Sequence, residues 1–513
     1  MTAPTSTTEV ERKLTVPASF DLDNMAADLA AIGEVTREPR RNLTAVYYDT
    51  EDFALARSRV TLRRRTGGDD SGWHLKLPPV DLGSDAREEV VLPLTAGRPG
   101  RVPSALTSAV VALIGGQPLL PLATQKTRRT PYVVQTPDGK PGVEIVDDLV
   151  AVTEGAQSGT EYREVEVEVL SAADLLEPVV ALLTSAGAAA SLSQSKGIKA
   201  LVGDTPLAPL IEIGERPRPK DPAADAVKFH VRTQVTAIIT QDQRIRRHLP
   251  DSVHQYRVAA RRLRSVLQAF APLVDDQWAR ELRTELGWIA SVLSQSRDRE
   301  VLEARLVEAV RALPAEADGA AALVVIQRHL DSELAEAKAS IAAAMESPRY
   351  RDLMAKLHAA AAAPRTTELA NGKASAVLPP LAMASWRKLA KQGRRLHNEL
   401  EGHDDHWHRT RITAKRARYT VEACVPVFGG PAKKFAKQLE YVTELLGEHQ
   451  DAAIAAELVQ QLAATARGAR APFALGVLYA QQRSRVAGTR REFVDTWPRV
   501  AHPGWRTWTE PKA

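Results

Sequence analysis

The chain has 513 residues, 44% hydrophobic and 26% charged, with a formal net charge of +5. That length allows two or three domains with sizeable cores, and the composition excludes a disordered or fibrous chain. The mild basic excess suits an anionic partner without identifying one. A lone cysteine, Cys424, excludes an intramolecular disulfide framework and suits a reducing compartment. The opening MTAPTSTTEV lacks the charged and apolar regions of a signal peptide, and SAVVALIGGQPLLPL and VVALLTSAGAAASL are too short or broken to cross a bilayer. A cytoplasmic protein without a membrane partner is expected.

The first predicted element is the strand EVERKL, which puts Glu9, Glu11 and Lys13 on one face and Val10, Arg12 and Leu14 on the other. A helix is expected near Leu22–Ile32, followed by the extended segments TAVYYDT, RVTLRRR and WHLKLP, the last two separated by the turn TGGDDSG. In these, Arg63 and Arg65 share a face, as do His74 and Lys76. Beyond a helix near Ala105–Ile114, Lys126 and Arg128 repeat the pattern with Arg129 opposite. The run YVVQTPDGKPGVEIVDD turns at TPDGKPG and places Glu144 and Asp148 at one parity, and YREVEVEVL alternates Glu164, Glu166 and Glu168 with valines. A helix near Ala173–Ala186 follows.

Each strand therefore carries one charged face, and the signs sort into acidic and basic strands. A solvated sheet face with cross-strand ion pairs would show the same alternation. Successive like charges in EVEVE and RRR repel, however, unless opposite charge lies nearby. A divalent metal on the carboxylates and a polyanion on the cations satisfy both sets. If the sheet closes, these faces line a polar interior.

Over about residues 7–202 the chain resembles the CYTH family, the triphosphate tunnel metalloenzymes, through the E-x-E-x-K of Glu9, Glu11 and Lys13, the R-x-R of Arg63 and Arg65, the lysine of WHLKLP and REVEVEV. The resemblance implies an eight-stranded antiparallel barrel whose tunnel holds a triphosphate. It makes Glu9, Glu11, Asp148, Glu164 and Glu166 the ligands of Mg²⁺ or Mn²⁺. Arg63, Arg65, Lys76, Lys126, Arg128 and Lys196 of SQSKGIKAL become phosphate-binding residues, with Lys13 beside them, and Glu9, Glu11 and Lys13 the catalytic group. Asp148 is chosen over Asp147 because it shares parity with Glu144. Hydrolysis of a terminal phosphoanhydride is the reaction expected. Inorganic triphosphate is preferred to a nucleoside triphosphate, because no aromatic set suits a base. The family also contains adenylyl cyclases and thiamine triphosphatases, and a non-catalytic polyphosphate adaptor is the further alternative. No P-loop motif is present.

A proline-rich linker is expected over 203–222, then an all-α domain over 223–500 built as a helical bundle from two repeat halves, about 223–362 and 380–500. HQYRVAARRLR sets out His254, Arg257, Arg261 and Arg264, and HRTRITAKRAR repeats the spacing with His408, Arg411, Lys415 and Arg418. Each set forms one helical stripe, destabilising by roughly 0.2–0.5 kcal/mol per like-charge pair unless anions neutralise it. About forty residues on, Asp298 of LSQSRDREVL matches Asp451 of LGEHQDAAIA, where they can orient arginines. These paired segments resemble the CHAD domain, which implies binding of inorganic polyphosphate by all eight residues, with association to polyphosphate granules conceivable. Nucleic acid is the less favoured polyanion. HDDHWH places Asp404 near His408 and His403 near His406, a conceivable metal site, and Trp278, Trp288, Trp386 and Trp407 read as packing anchors.

Overall fold

The alternating segments fold as strands of a single antiparallel sheet. The structure, a computed structural model, describes residues 5–17, 19–79, 86–191 and 195–510; the opening residues 1–4 and residues 193–194 of SQSKGIKAL lie outside these. The strands are β1 (Thr5–Thr15), β2 (Val35–Arg37), β3 (Arg41–Asp49), β4 (Thr61–Thr66), β5 (Gly72–Leu77), β6 (Ala86–Leu92), β7 (Leu120–Gln135), β8 (Pro141–Glu154), β9 (Glu161–Val169) and β10 (Ala189–Ala190). Their order is β10-β1-β6-β5-β4-β3-β7-β8-β9, and β9 pairs back onto β1. β1, β6, β5, β4, β3, β7, β8 and β9 thus form a closed eight-stranded barrel, and β2 and β10 pair on its outside with β7 and β1.

Closure uses the full length of β1. Its first half pairs with β6 and its second with β9, where Glu11 faces Glu168 and Lys13 faces Glu166. Pleating then sends one face of each strand outward and the other into the lumen. Leu14, Val143, Ile145, Val165 and Val167 form the outer core, covered by Leu29 of α1 (Ala26–Ala30) and by Leu176, Val179 and Leu183 of α5 (Leu176–Ser185). The shorter helices α2 (Ala54–Arg57), α3 (Ser104–Ala109) and α4 (Val111–Ile114) lie between, and α6 (Lys196–Val202) packs on β3, β4 and β7. The Ser195 hydroxyl caps α6 by accepting from Ile198 N at 3.0 Å. A Cβ on Gly197 would meet Tyr47 Cε1 at 2.5 Å, so glycine is what lets α6 approach closely enough to present Lys196.

The chain divides into two units, Met1–Leu210 and Ile211–Ala513. Between α6 and α7 (Ala223–Arg246) no helix or strand forms. The second unit holds, among the described residues, α7, α8 (Ser252–Ala269), α9 (Asp276–Arg311), α10 (Gly319–Glu346), α11 (Pro348–Ala362), α12 (Ala374–Asn398), α13 (Asp404–Phe428), α14 (Gly430–Thr465) and α15 (Arg470–Val500), with short 3₁₀ turns. The repeat is visible in the packing. α8 lies against α7 and α9 as α13 lies against α12 and α14, and α8 also packs on α13. Trp386 and Trp407 are buried in one core with Phe435, Phe493 and Trp497, while Trp288 lies beneath the Arg349 guanidinium, 4.3 Å from its ring centre.

α12 begins at Ala374, and Pro379 and Pro380 stand inside it. Proline's fixed φ is helical and each ring forfeits one hydrogen bond. The first turn is anchored from outside the helix, where Ala374 N donates to Asp221 O at 2.8 Å and Ser375 N to Pro219 O at 2.9 Å.

Candidate functional site

The barrel lumen encloses a cavity of about 330 Å³ lined almost entirely by ionisable side chains. Eight acids (Glu9, Glu11, Asp69, Asp70, Glu89, Glu144, Glu166 and Glu168) meet eight cations (Lys13, Arg41, Arg63, Arg65, Lys76, Arg87, Arg129 and Lys196). β1, β8 and β9 supply most of the acids and β3, β4, β5 and β7 most of the cations, while Lys13 and Lys196 stand among the acids.

Glu166 is the hub. It pairs with Lys13, accepts Lys196 Nζ at 2.8 Å and lies 3.5 Å from Arg129. Lys13 also reaches Glu11 at 3.2 Å. Asp148, fully buried, pairs with Lys196 and takes a two-pronged contact from Arg129 at 2.9 and 2.7 Å. Lys76 pairs with Glu9. Burial opposes the charge on Glu166, but Lys13, Lys196 and Arg129 outweigh it and hold its pKa well below the usual carboxylate range. Burial likewise opposes the Lys13 charge, and Glu166 and Glu11 outweigh it, raising its pKa. Other acids are undercompensated. Burial and a hydrogen bond shared with Glu89 push Glu9 up to about 7, and burial raises Glu144, Glu164 and Glu168. His74 is buried, with its pKa pushed down to about 4; its Nδ1 lies 3.0 Å from Glu89 and its Nε2 2.8 Å from the Asp70 carbonyl.

Of the residues expected here, Glu9, Glu11, Lys13, Arg63, Arg65, Lys76, Asp148, Glu164, Glu166 and Lys196 are brought together. Lys126 and Arg128 are not: both are exposed on the outer face of β7, and Arg129 enters the lumen instead. The register explains the correction. Arg129 stands opposite Asp148, and Arg128 opposite the exposed Leu149. Directly opposed residues share a face, so the inward Asp148 fixes Arg129 inward. Asp147 points outward to Arg163, at 2.8 and 2.7 Å. Glu89 on β6 was not anticipated, and it lies within 4 Å of His74, Arg63 and Lys76. Among the described residues no three acids or histidines already form a metal-binding group; Lys13, Lys76 and Lys196 stand between the carboxylates.

In the helical unit the two stripes meet where α8 packs on α13. Lys415 is surrounded by Arg261, Arg411 and Arg257, and burial together with these cations pushes its pKa down to about 7, with Asp451 the opposing charge. Arg264 faces Arg283 and Arg416. His254 faces Arg297, Arg257 and Arg261. Arg257 and Asp298 are 3.0 Å apart and Arg411 and Asp451 3.8 Å, so the matching aspartates orient matching arginines. The Nε atoms of Arg264, Arg297 and Arg411 are buried without a hydrogen-bond partner among the described residues. Two expected members stand apart. Arg418 is neutralised by Glu422 at 2.7 Å and by Glu440. His408 is exposed, bonded to Gln450 at 2.9 Å, in a cavity with Asp404 and Asp405. Arg416, which lies off the predicted stripe, stands beside Arg264. In HDDHWH, Asp404 is held by Arg483 at 2.7 Å and by Arg490, which leaves it paired rather than available to a metal.

Comparison with known proteins gives matches over both units. A CYTH domain model matches residues 7–196 and a CHAD domain model residues 230–460. The chain is 33% identical over 518 residues to Uncharacterized protein Rv2226 of Mycobacterium tuberculosis (strain ATCC 25618 / H37Rv), covering 94% of each chain. Among solved structures, PptA from Streptomyces chartreusis is 27% identical with a TM-score of 0.47, covering 54% of this chain and 100% of that one. The CHAD domain from the plant Ricinus communis is 25% identical with a TM-score of 0.42, covering 57% and 97%. With both domain models matched in this order and a relative aligned almost end to end, the chain belongs to the family in which a CYTH domain is followed by a CHAD domain.

Proposed function

We propose that the barrel is a metal-dependent hydrolase of inorganic triphosphate or a related phosphoanhydride, and that the helical unit binds inorganic polyphosphate. The observation that carries the first half is the sorting of charge inside a closed barrel, with most lining carboxylates on β1, β8 and β9 and most lining guanidinium and ammonium groups on β3, β4, β5 and β7. Eight acids against eight cations leave the cavity without the net positive charge a bare polyanion needs. A triphosphate accompanied by divalent cations matches it. The donor set fits such an ion: Glu9, Glu11, Glu164 and Glu166 are hard oxygen ligands, and burial raises the pKa of Glu9 and Glu164 by more than the nearby lysines offset.

When bound, Mg²⁺ or Mn²⁺ would supply Lewis acidity toward phosphate oxygens, held by Glu9, Glu11, Glu164 and Glu166, while Asp148, expected among the ligands, is engaged by Arg129 and Lys196. The chain's own work is positioning. Arg63, Arg65 and Arg129 present planar donors to non-bridging oxygens, and Lys76 and Lys196 add point charges as the chain enters. Tyr47 and His74 carry the only rings among the lining residues, and both His74 nitrogens face protein oxygens. The lumen thus offers little to a nucleobase or thiazole, which favours the inorganic substrate over the cyclase and thiamine triphosphatase alternatives.

Purified protein is expected to release phosphate from inorganic triphosphate with Mg²⁺ or Mn²⁺, to stop on chelation, and to form no cyclic AMP from ATP. Binding without turnover would instead favour the adaptor reading. In the helical unit, Lys415 gives a pH signature. Burial, with Arg261 and Arg257 on α8 and Arg411 on α13 beside it, lowers its pKa to about 7 against Asp451 on α14. A bound polyanion raises that pKa, so binding takes up a proton above pH 7. Affinity is expected to be flat below pH 7 and to fall by up to about tenfold per pH unit above it. A titration across pH 6–9 on wild type and Lys415→Arg checks this, because arginine stays charged and the slope should vanish.

A further inference from the structure

The β4–β5 turn, TGGDDSG, carries two carboxylates to the mouth of the tunnel. Gly67 has φ +96°, and a Cβ there would meet Asn42 O at 2.1 Å, so the turn begins hard against β3. It is then drawn tight by Ser71, whose N and Oγ donate to Gly68 O at 3.2 and 2.6 Å. The tip is Asp69 and Asp70. Asp70 pairs with Arg65, and Asp69 lies 3.2 Å from Arg41. All four residues line the cavity. The Arg65 side chain is 8% exposed, while Asp70 is 47% and Asp69 87% exposed, so the turn reaches in from solvent to a buried cation.

Arg65 is short of counter-charge. Burial, with Arg63 and Arg129 beside it, pushes its pKa down to about 9, and among the described residues its Nε has no hydrogen-bond partner. Among the described residues Asp70 is the carboxylate that forms its ion pair. A guanidinium in this position takes whichever anion is offered, carboxylate or phosphate.

We propose that the β4–β5 turn is an anionic gate, in which Asp69 and Asp70 hold Arg41 and Arg65 until an entering phosphate chain replaces the two carboxylates with phosphate oxygens. This rests on the triphosphate reading of the barrel. The gate competes with substrate binding and has been displaced before chemistry, so removing its charge strengthens ground and transition states equally: KM falls and kcat does not change.

The test compares the full chain with Asp69→Asn/Asp70→Asn. Binding of inorganic triphosphate with Mg²⁺ is read by calorimetry and turnover by phosphate release. Asp138→Asn, on the exposed β7–β8 turn beside Lys140, removes one carboxylate that does not line the cavity and reads the non-specific effect per charge lost. The double variant is expected to lower Kd and KM about threefold to tenfold, with kcat and the Asp138→Asn values unchanged. A Kd that stays the same or rises, or an equal fall in Asp138→Asn, overturns the gate. A wild type that binds without turnover, with tighter binding in the double variant, removes the hydrolase reading and keeps the gate. Absence of binding in every protein overturns both.

Discussion

Glu11→Gln is expected to lower kcat for phosphate release at least about a hundredfold, equivalent to ~3 kcal/mol of barrier, while polyphosphate binding by the helical unit stays unchanged. Glu11 sits on β1 between Lys13, 3.2 Å away, and the carboxylate wall. Burial disfavours its charge, yet Lys13 outweighs burial and holds its pKa below the ordinary value. A carboxyl group with a lowered folded-state pKa contributes stability that is present above the unfolded pKa and lost as pH falls through the folded one. Glu11 is therefore ionised throughout the neutral range, a full anionic ligand for a divalent cation, and glutamine removes that charge at every working pH. The change is mild for the fold, because Lys13 keeps its pairing with Glu166. A thermal melt close to wild type, with turnover lost in the phosphate assay, separates loss of a ligand from loss of the barrel. Full activity in the variant would remove Glu11 from the metal site.

Much of this lumen is legible along the chain, and what is not has a common cause. Period-two alternation in EVERKL, TLRRR and REVEVEV identifies strands with one charged face, because pleating makes that pattern local. It does not say which face is inward. On β7 the alternation of Lys126 and Arg128 against Arg129 is correct, but the inward side is decided by Asp148 on the neighbouring strand. β6 hides for another reason. AREEVVL places Glu88 next to Glu89 and Val90 next to Val91, so no alternation marks the strand, although Arg87, Glu89 and Val91 all line the cavity. Lys196 was found only through a family motif; its entry to the lumen depends on Gly197 passing Tyr47. In the helical unit the i, i+3, i+7, i+10 spacing marks both stripes. Their last members diverge because α14 offers Glu440 to Arg418, while Arg416 joins Arg264 and Arg283.

That divergence sharpens the second expected result. Arg257→Gln/Arg261→Gln/Arg411→Gln should weaken binding of long-chain polyphosphate by at least about a hundredfold, since each charge-assisted contact contributes ~1.5 kcal/mol and three are lost. The dependence of log affinity on log salt should flatten by about 2, at roughly 0.7 per phosphate contact on a flexible single chain. These three residues surround Lys415, where α8 meets α13, so they remove the centre of the cation cluster rather than one end. Glutamine is preferred to glutamate because Arg257 and Arg411 stand beside Asp298 and Asp451. A new carboxylate there would repel these aspartates, whereas an amide can still donate to them. Performing the titration in a Glu11→Gln background prevents turnover from consuming the polymer. Arg418→Gln is the internal comparison, because Arg418 is already balanced by Glu422 and Glu440 and should change affinity by less than about threefold. Equal losses from Arg418→Gln and from the triple variant would mean that polyphosphate follows the linear stripe of α13. Unchanged affinity in the triple variant would place the polyanion elsewhere on the helices.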